Sequence, residues 1–509
     1  MAILKISYPS IWNWISDCSS VINMKITIVG SGTAGLITAL ILREAFPFRE
    51  ITIISSSKIG IIGVGEGSTE HWKMFMNMCN IPLGEMIVES RATHKYGIRF
   101  ENWTNHTPDY IHSISSAETH EPIGYYAAYN GFIMNNRTLT ESMAPRSLIE
   151  NKVNANNPHQ SVNQFHFDTF SLNKYLSKIC ISRSIKIIDA EVIKVNLDPQ
   201  NGYIDSIMMD NLEIFESDFW IDATGMRRAL MSEIGNTEWN SFKEYLQMDS
   251  AIAFPTESDP SGEIRPYTRA RAMPNGWVWE IPTQDRRGNG YVYSSQHCAD
   301  DQAVKEVSDL LGREVEPARS FKFDPGHLRK FWVKNCVAVG LAAAFVEPIE
   351  ATSIGSTIQQ AKYLMHALST YDSNSKKIQE DYNRKMNTMM ENILAMIALH
   401  YTSDREDSSM WKQQKQMKKP DYLNNLLDLW QERPPFRDDI PTNSYEMFHV
   451  AHFYHVAQGQ KMLSAEKAEK MISAYGKTQF VNKLISDIKL DQTAHAKVDH
   501  AEALRQIQL

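Results

Sequence analysis

The apolar run Ile26-Thr27-Ile28-Val29 leads directly into Gly30-Ser31-Gly32-Thr33-Ala34-Gly35. Residues 36–46 continue with helical character, and Ile51-Thr52-Ile53-Ile54 forms a second apolar run. Strand, glycine turn, helix and strand in this order restrict the start of the chain to a parallel βαβ unit. Each glycine then has its own physical role. Gly30 permits the tight turn, Gly32 lets the backbone approach a pyrophosphate, and Gly35 lets the helix pack on the strand. Thr33 and Ala34 belong to the same loop, so the segment is expected to hold a dinucleotide.

The acidic residue that usually closes the second strand of such a unit is replaced by Ser55-Ser56-Ser57. Serine can still hydrogen-bond a ribose hydroxyl. No basic residue is offered to a 2′-phosphate, which disfavours NADP. A second glycine-rich stretch, Gly63-Val64-Gly65-Glu66-Gly67-Ser68-Thr69, lies too far along to be part of the first turn. It reads as a flap over a cofactor or as an ordinary flexible loop.

The string Gly276-Trp277-Val278-Trp279-Glu280-Ile281-Pro282 places two indoles one residue apart on a strand-like stretch. Side chains alternate with period two on a strand, so both indoles face one side and can wall off a cavity. Packing in a core is the bland alternative for the pair. Strands are also expected in residues 185–195, in Phe219-Trp220-Ile221-Asp222 before a Thr224-Gly225 turn, in residues 251–254 and 291–294, and in Cys336-Val337-Ala338-Val339 before Gly340. Ile378, Tyr382, Met386, Met389, Ile393 and Met396 recur every three or four residues, the signature of a helix with one apolar face. The polar residues 404–421 read as the nearest approach to a linker.

Composition narrows the function classes. The chain has 509 residues, 43% hydrophobic and 22% charged, with a formal charge of −8. That balance disfavours nucleic acid or an anionic membrane surface as the main partner and favours a small molecule. Five widely spaced cysteines without a CxxC indicate neither a disulfide framework nor a metal site, and the histidines show no HExxH spacing. A reducing cytoplasm is the expected location, and no metal is expected. Residues 1–23 lack the basic and apolar regions of a targeting peptide and read as an N-terminal extension or a misassigned start. Three Asn-x-Thr sites beginning at Asn102, Asn105 and Asn136 are expected to be accidental.

Several ordered motifs together resemble the flavin-dependent halogenases of the tryptophan halogenase type. They are the GSGTAG loop, Gly63-Val64-Gly65-Glu66, His94-Lys95-Tyr96-Gly97-Ile98-Arg99-Phe100-Glu101-Asn102-Trp103, Phe165-His166-Phe167-Asp168, the GWVWEIP string, Gly290-Tyr291-Val292-Tyr293-Ser294-Ser295, Phe345-Val346-Glu347-Pro348-Ile349-Glu350, and His400-Tyr401 with Arg405. The resemblance implies an α/β fold: an FAD-binding Rossmann-like module of the flavin monooxygenase type over residues 24–365. Elements at about 104–160 and 231–320, including an antiparallel sheet, would be inserted in it, and a mainly helical substrate-recognition region would follow over 366–509.

The same resemblance implies a mechanism. Reduced FAD, supplied by a separate flavin reductase, reacts with oxygen to a flavin hydroperoxide, and a halide (chloride, bromide or iodide) attacks it to give hypohalous acid. A tunnel leads the acid to Lys95, which halogenates a small electron-rich aromatic substrate, an indole or a phenol. Glu350 is expected to polarise the reagent or to accept the proton of the cationic ring. Thr352 and Ser353 would bind halide through backbone N–H groups. Glu66, Gly67, Val192, Gly225, Leu341 and Ile354 would join the glycine loop around the cofactor, and Trp277, Trp279, Ile281 and Pro282 would shield the flavin and line the tunnel.

Two positions depart from the family pattern. Ala351 stands where many tryptophan-active members have serine, and Ser353 where they have glycine, which leaves the halide preference open. Tyr445, Phe448, Phe453 and Tyr454 are candidates either for stacking on a substrate ring or for the core. Oligomeric state, a homo-oligomer included, is also left open. Two rival readings remain at this point: a flavin monooxygenase on the same fold, and a non-catalytic flavin-fold binding protein.

Overall fold

A computed structural model describes residues 24–61, 65–113, 129–135, 152–154, 164–235, 237–371, 376–441, 445–494 and 497–507. The N-terminal extension, the Asn136 site and part of the second glycine-rich stretch lie outside the described residues. Six strands form the first sheet in the order Trp332–Val333, Cys336–Ala338, Phe219–Asp222, Ile26–Val29, Ile51–Ser55 and Lys186–Asp189. All neighbours but the outermost pair Trp332–Val333 and Cys336–Ala338 run parallel. The strands at 26–29, 51–54 and 219–222 are buried throughout, as expected of a parallel sheet covered on both faces. The helices Thr33–Ala45 and Thr352–Leu368 pack against each other on this sheet.

The second large sheet has seven strands, ordered Arg319–Lys322, Ser250–Glu257, Arg286–Tyr293, Gly276–Pro282, Thr268–Met273, Gly97–Glu101 and Asp109–Ser113. It is antiparallel except where Thr268–Met273 meets Gly97–Glu101. The last two strands come from the segment just after Lys95, so this sheet spans both the early and the late parts of the chain. Its register sets Trp279 opposite Gly290, and a Cβ at Gly290 would meet the Trp279 ring at 2.0 Å. Only glycine leaves room for the indole there.

A small three-stranded sheet joins the two. The strand Gln164–Phe167 pairs on one side with Glu66–Gly67 and on the other with Thr93–Lys95. Glu66 and Gly67 are therefore held in a strand, with Ser68 N–H bonded to the Phe165 carbonyl at 2.8 Å, which replaces the flap or loop reading for this part of the glycine-rich stretch.

The C-terminal third is mainly helical. The helix Lys376–His400 buries Tyr382, Met386, Met389, Ile393 and Met396 on one face. Residues 404–421 are no linker. They contain the helix Ser409–Gln416, whose Trp411 is buried and donates its N–H to the Met273 carbonyl at 2.9 Å. Burying one indole removes enough apolar surface from water to fix a short helix that its polar neighbours alone would not hold.

Candidate active site

A cavity of about 560 Å³ opens at the C-terminal ends of the parallel strands, the usual ligand position in such a sheet. Gly30, Gly32, Thr33, Ala34, Glu66, Gly67, Val192, Gly225, Leu341 and Ile354 all line it. Trp279 and Ile281 close it from the broad sheet, and Ala351 and Ser353 line its far end. Gly35, Thr352, Trp277, Pro282, Lys95 and Glu350 do not face it. Gly35 instead sits where a Cβ would strike the Gly30 carbonyl oxygen at 2.0 Å, the close approach of helix to strand.

The cleft suits a dinucleotide flavin. Gly30 has φ +112° and a Cβ there would meet the Ala223 carbonyl oxygen at 2.3 Å, so the turn requires glycine. A Cβ at Gly32, by contrast, would meet nothing within 4 Å. Gly32 caps the helix Thr33–Ala45 without a side-chain hydrogen bond, so its first N–H groups remain available to a phosphate. Ser31 and Ser55 hydroxyls pair at 2.6 Å where an acidic residue was missing from the sequence pattern. Glu191 and Arg227, which the sequence did not single out, line the same region and pair with each other at 3.0 Å. One buried Glu66 oxygen, Oε2, has no partner, and burial pushes this carboxyl up to about 7.

Behind the cleft lies a buried pair of opposite character. Lys95, at the end of its strand, is 1% exposed and donates from Nζ to the Ser68 carbonyl at 2.9 Å. Burial lowers its pKa to about 8, against the opposing charges of Glu350 and Glu70. A Cβ on Gly67 would lie 3.5 Å from Nζ and 3.3 Å from the Ala351 Cβ. Gly67 and Ala351 are thus a thin partition between the cleft and Lys95.

Glu350 ends the short turn Pro348–Glu350, after which Ala351 adopts a left-handed conformation at φ 53° and the helix Thr352–Leu368 begins. Its carboxylate is fully buried. Both oxygens lie 2.9 Å from His112 Nδ1, and Oε1 lies 2.6 Å from His400 Nε2. Burial alone would raise this carboxyl, but the charge and hydrogen bonds of the two imidazoles outweigh it and hold the group at about 2. Thr352 and Ser353 start a helix whose cap offers no side-chain hydrogen bond.

The two indoles of the GWVWEIP strand divide their work. Trp279 lines the cleft, whereas Trp277, 6.1 Å away between ring centroids, donates its N–H to Glu347 at 2.7 Å. The Tyr401 hydroxyl donates to the same oxygen at 2.6 Å. Glu347, His112 and His400 were missed as partners by residue reasoning. Phe448, Phe453 and Tyr454 are buried core residues; Phe453 packs edge-on against Trp430, and the Tyr454 hydroxyl receives a hydrogen bond from Asn130 at 3.1 Å. Among the described residues no group of three or more His, Cys, Asp or Glu is arranged to hold a metal, and no helix is long and apolar enough to cross a membrane.

The sequence profile of the tryptophan halogenase family matches residues 25–476. The chain belongs to this family. It is 30% identical over 446 residues to the 7-chloro-L-tryptophan 6-halogenase KtzR of Kutzneria sp. (strain 744), covering 81% of this chain and 86% of that one. It is 29% identical over 451 residues to the tryptophan 6-halogenase SttH of Streptomyces toxytricini, covering 82% and 85%. Its fold superposes on BrvH, a flavin-dependent halogenase from Brevundimonas sp. BAL3, with a TM-score of 0.84 at 26% identity, covering 96% of this chain and 99% of that one. The chain is a flavin-dependent halogenase with an FAD-binding Rossmann-like fold, an enzyme of a family that uses FAD, halide, an aromatic substrate and, in general, a separate flavin reductase.

Proposed function

We propose that this halogenase attaches halogen to an electron-rich ring of the indole or phenol type, with Lys95 delivering the halogen and Glu350 taking the ring proton. The observation that carries the reading is the position of the buried Lys95 ammonium behind Gly67, within electrostatic reach of Glu350 and out of the flavin cleft. Bound FADH2 supplies, with oxygen, the two-electron oxidation of halide to hypohalous acid.

The chain's own residues do the rest. Gly30, Gly32 and the first N–H groups of Thr33–Ala45 receive the pyrophosphate, and Thr352 and Ser353 offer helix N-terminal N–H groups to the halide. Trp279 and Ile281 cover the cleft and keep the aromatic substrate away from it. Lys95 either donates a hydrogen bond to hypohalous acid as an ammonium or accepts halogen as an amine. A pKa near 8 keeps both forms accessible close to neutral pH. Glu350, held ionised by His112 and His400, stabilises the cationic ring and removes its proton.

The test is mass spectrometry of indole and phenol incubated with enzyme, FAD, a flavin reductase, NADH and oxygen, with chloride, bromide, iodide or no halide. Ring-halogenated product that requires halide is expected, and the yields rank the halides. Hydroxylated product formed without halide would overturn the reading.

A further inference from the structure

Glu350 stands at the head of two branches of buried hydrogen bonds, and they end differently. One passes from Oε1 to His400 Nε2 at 2.6 Å and from His400 Nδ1 to the Tyr110 hydroxyl at 3.0 Å. It stops at Gln460, whose amide N–H donates to that hydroxyl at 3.2 Å and to the His400 carbonyl at 3.1 Å. An amide N–H cannot take up a proton, so this branch is closed.

The other branch is open. His112 Nδ1 meets Glu350 at 2.9 Å, and His112 Nε2 meets His452 Nδ1 at 3.0 Å. His452 Nε2 is buried, has no hydrogen-bond partner and points toward Glu70 Oε1 at 3.8 Å. The Glu70 side chain is 24% exposed. A movement of about 1 Å by that partly exposed carboxylate closes the gap to hydrogen-bond length.

From this geometry we propose that His112 and His452 form a proton exit that returns Glu350 to its carboxylate form after each turnover, with His452 as the gatekeeping step; the proposal rests on the reading that Glu350 takes the ring proton. The transfer balances. The proton on Glu350 passes to His112 Nδ1 as the Nε2 proton of His112 passes to His452 Nδ1, and the Nε2 proton of His452 passes to Glu70 and on to water. One proton leaves and both imidazoles end with their proton on Nδ1, His112 then donating to the ionised Glu350 carboxylate; exchange of protons with water admitted between turnovers returns both rings to the Nε2–H tautomer.

The surroundings suit a relay rather than a stored charge. His452 is faced by His112 from the strand Asp109–Ser113, by Glu70 and His71 at the start of another helix, and by His449 and His455 around its own helix. Burial, with the neighbouring imidazoles adding to it, keeps His452 neutral. His452 touches neither the flavin cleft nor Lys95, which makes it a positioning and transfer residue.

The experiment compares wild type, His452→Ala and His452→Gln in bromination of indole, by rapid quench and at steady state, with and without imidazole in the buffer. FAD affinity, thermal stability and FADH2 oxidation are followed in parallel. The first turnover is expected at the wild-type rate in both variants. Later turnovers should fall about a hundredfold or more, a loss in the range of a missing proton-transfer group. Added imidazole should restore the Ala variant, and the Gln variant, which keeps volume and a hydrogen bond to His112, separates proton transfer from packing.

Steady-state rates within twofold of wild type, or a loss already present in the first turnover and untouched by imidazole, would overturn the relay. If wild type itself fails to halogenate any indole or phenol, the underlying reading of Glu350 fails. If wild type brominates indole and the His452 variants match it, the relay alone fails.

Discussion

The indole N–H of Trp277 donates to the Glu347 carboxylate at 2.7 Å, and so ties the strand behind the cleft to the loop that carries Glu350 three residues later. Tyr401, directly after the helix Lys376–His400, fixes the same oxygen. Three distant parts of the chain thus share one buried carboxyl.

Burial raises the Glu347 pKa from the ordinary 4.5 to about 7, against the hydrogen bonds of Tyr401 and Trp277. A raised pKa means the folded state prefers the protonated form. Its stabilising contribution is complete below about 4.5 and disappears as pH rises through about 7. Glu347→Gln mimics the protonated form. Thermal unfolding should show the variant near wild-type stability at acid pH and more stable by up to about 3 kcal/mol at pH 8. A variant less stable than wild type at pH 8 would show that the ionised carboxylate is the better partner of Trp277.

Lys95 has the opposite sign. Its folded pKa is depressed to about 8 from 10.5, so its stabilising contribution is complete above about 10.5 and is lost as pH falls through about 8. Near neutral pH the buried ammonium destabilises the fold, less the bond it makes to Ser68. Lys95→Met should therefore raise stability by about 1–3 kcal/mol at pH 7 in calorimetry, with the gain shrinking at higher pH. Loss of stability at pH 7 would mean that the Ser68 contact outweighs the desolvation of the charge.

The partition at Gly67 predicts uncoupling. A Cβ there would crowd the Ala351 Cβ and come into contact with Lys95 Nζ without entering a forbidden backbone region, since Gly67 is not among the positive-φ glycines. Gly67→Ala should bind FAD within a few-fold of wild type and still oxidise FADH2. Halogenated product per FADH2 consumed should fall about tenfold, less than the roughly hundredfold that a full ångström of misplacement costs. The ratio of product to flavin oxidised is the measurement, and an unchanged ratio would place the route elsewhere.

Apolar runs beside glycine turns located the first sheet apart from its edge strand Trp332–Val333, because such four-residue runs have few other uses. Gly35 and Gly30 could be assigned for the same reason: their roles are local backbone contacts. The partners of the reactive groups could not. His112 and His400 lie 238 and 50 residues from Glu350, and the carbonyl that holds Lys95 belongs to Ser68, 27 residues away. Such contacts depend on how the small sheet around Gln164–Phe167 joins two larger ones, which no spacing rule encodes. Residues 404–421 misled for a different reason: their composition is polar, and one tryptophan decides their structure.

Delivery of halogen through Lys95 is tested most directly by bromination of indole with wild type and Lys95→Ala, in the presence of methionine as a trap for hypobromous acid free in solution, read by mass spectrometry. Lys95→Ala is expected to bind FAD, oxidise FADH2 and convert bromide to trapped oxidant as wild type does, yet to yield no brominated indole. Brominated indole from the variant at the wild-type rate, with the trap present, would contradict delivery through Lys95.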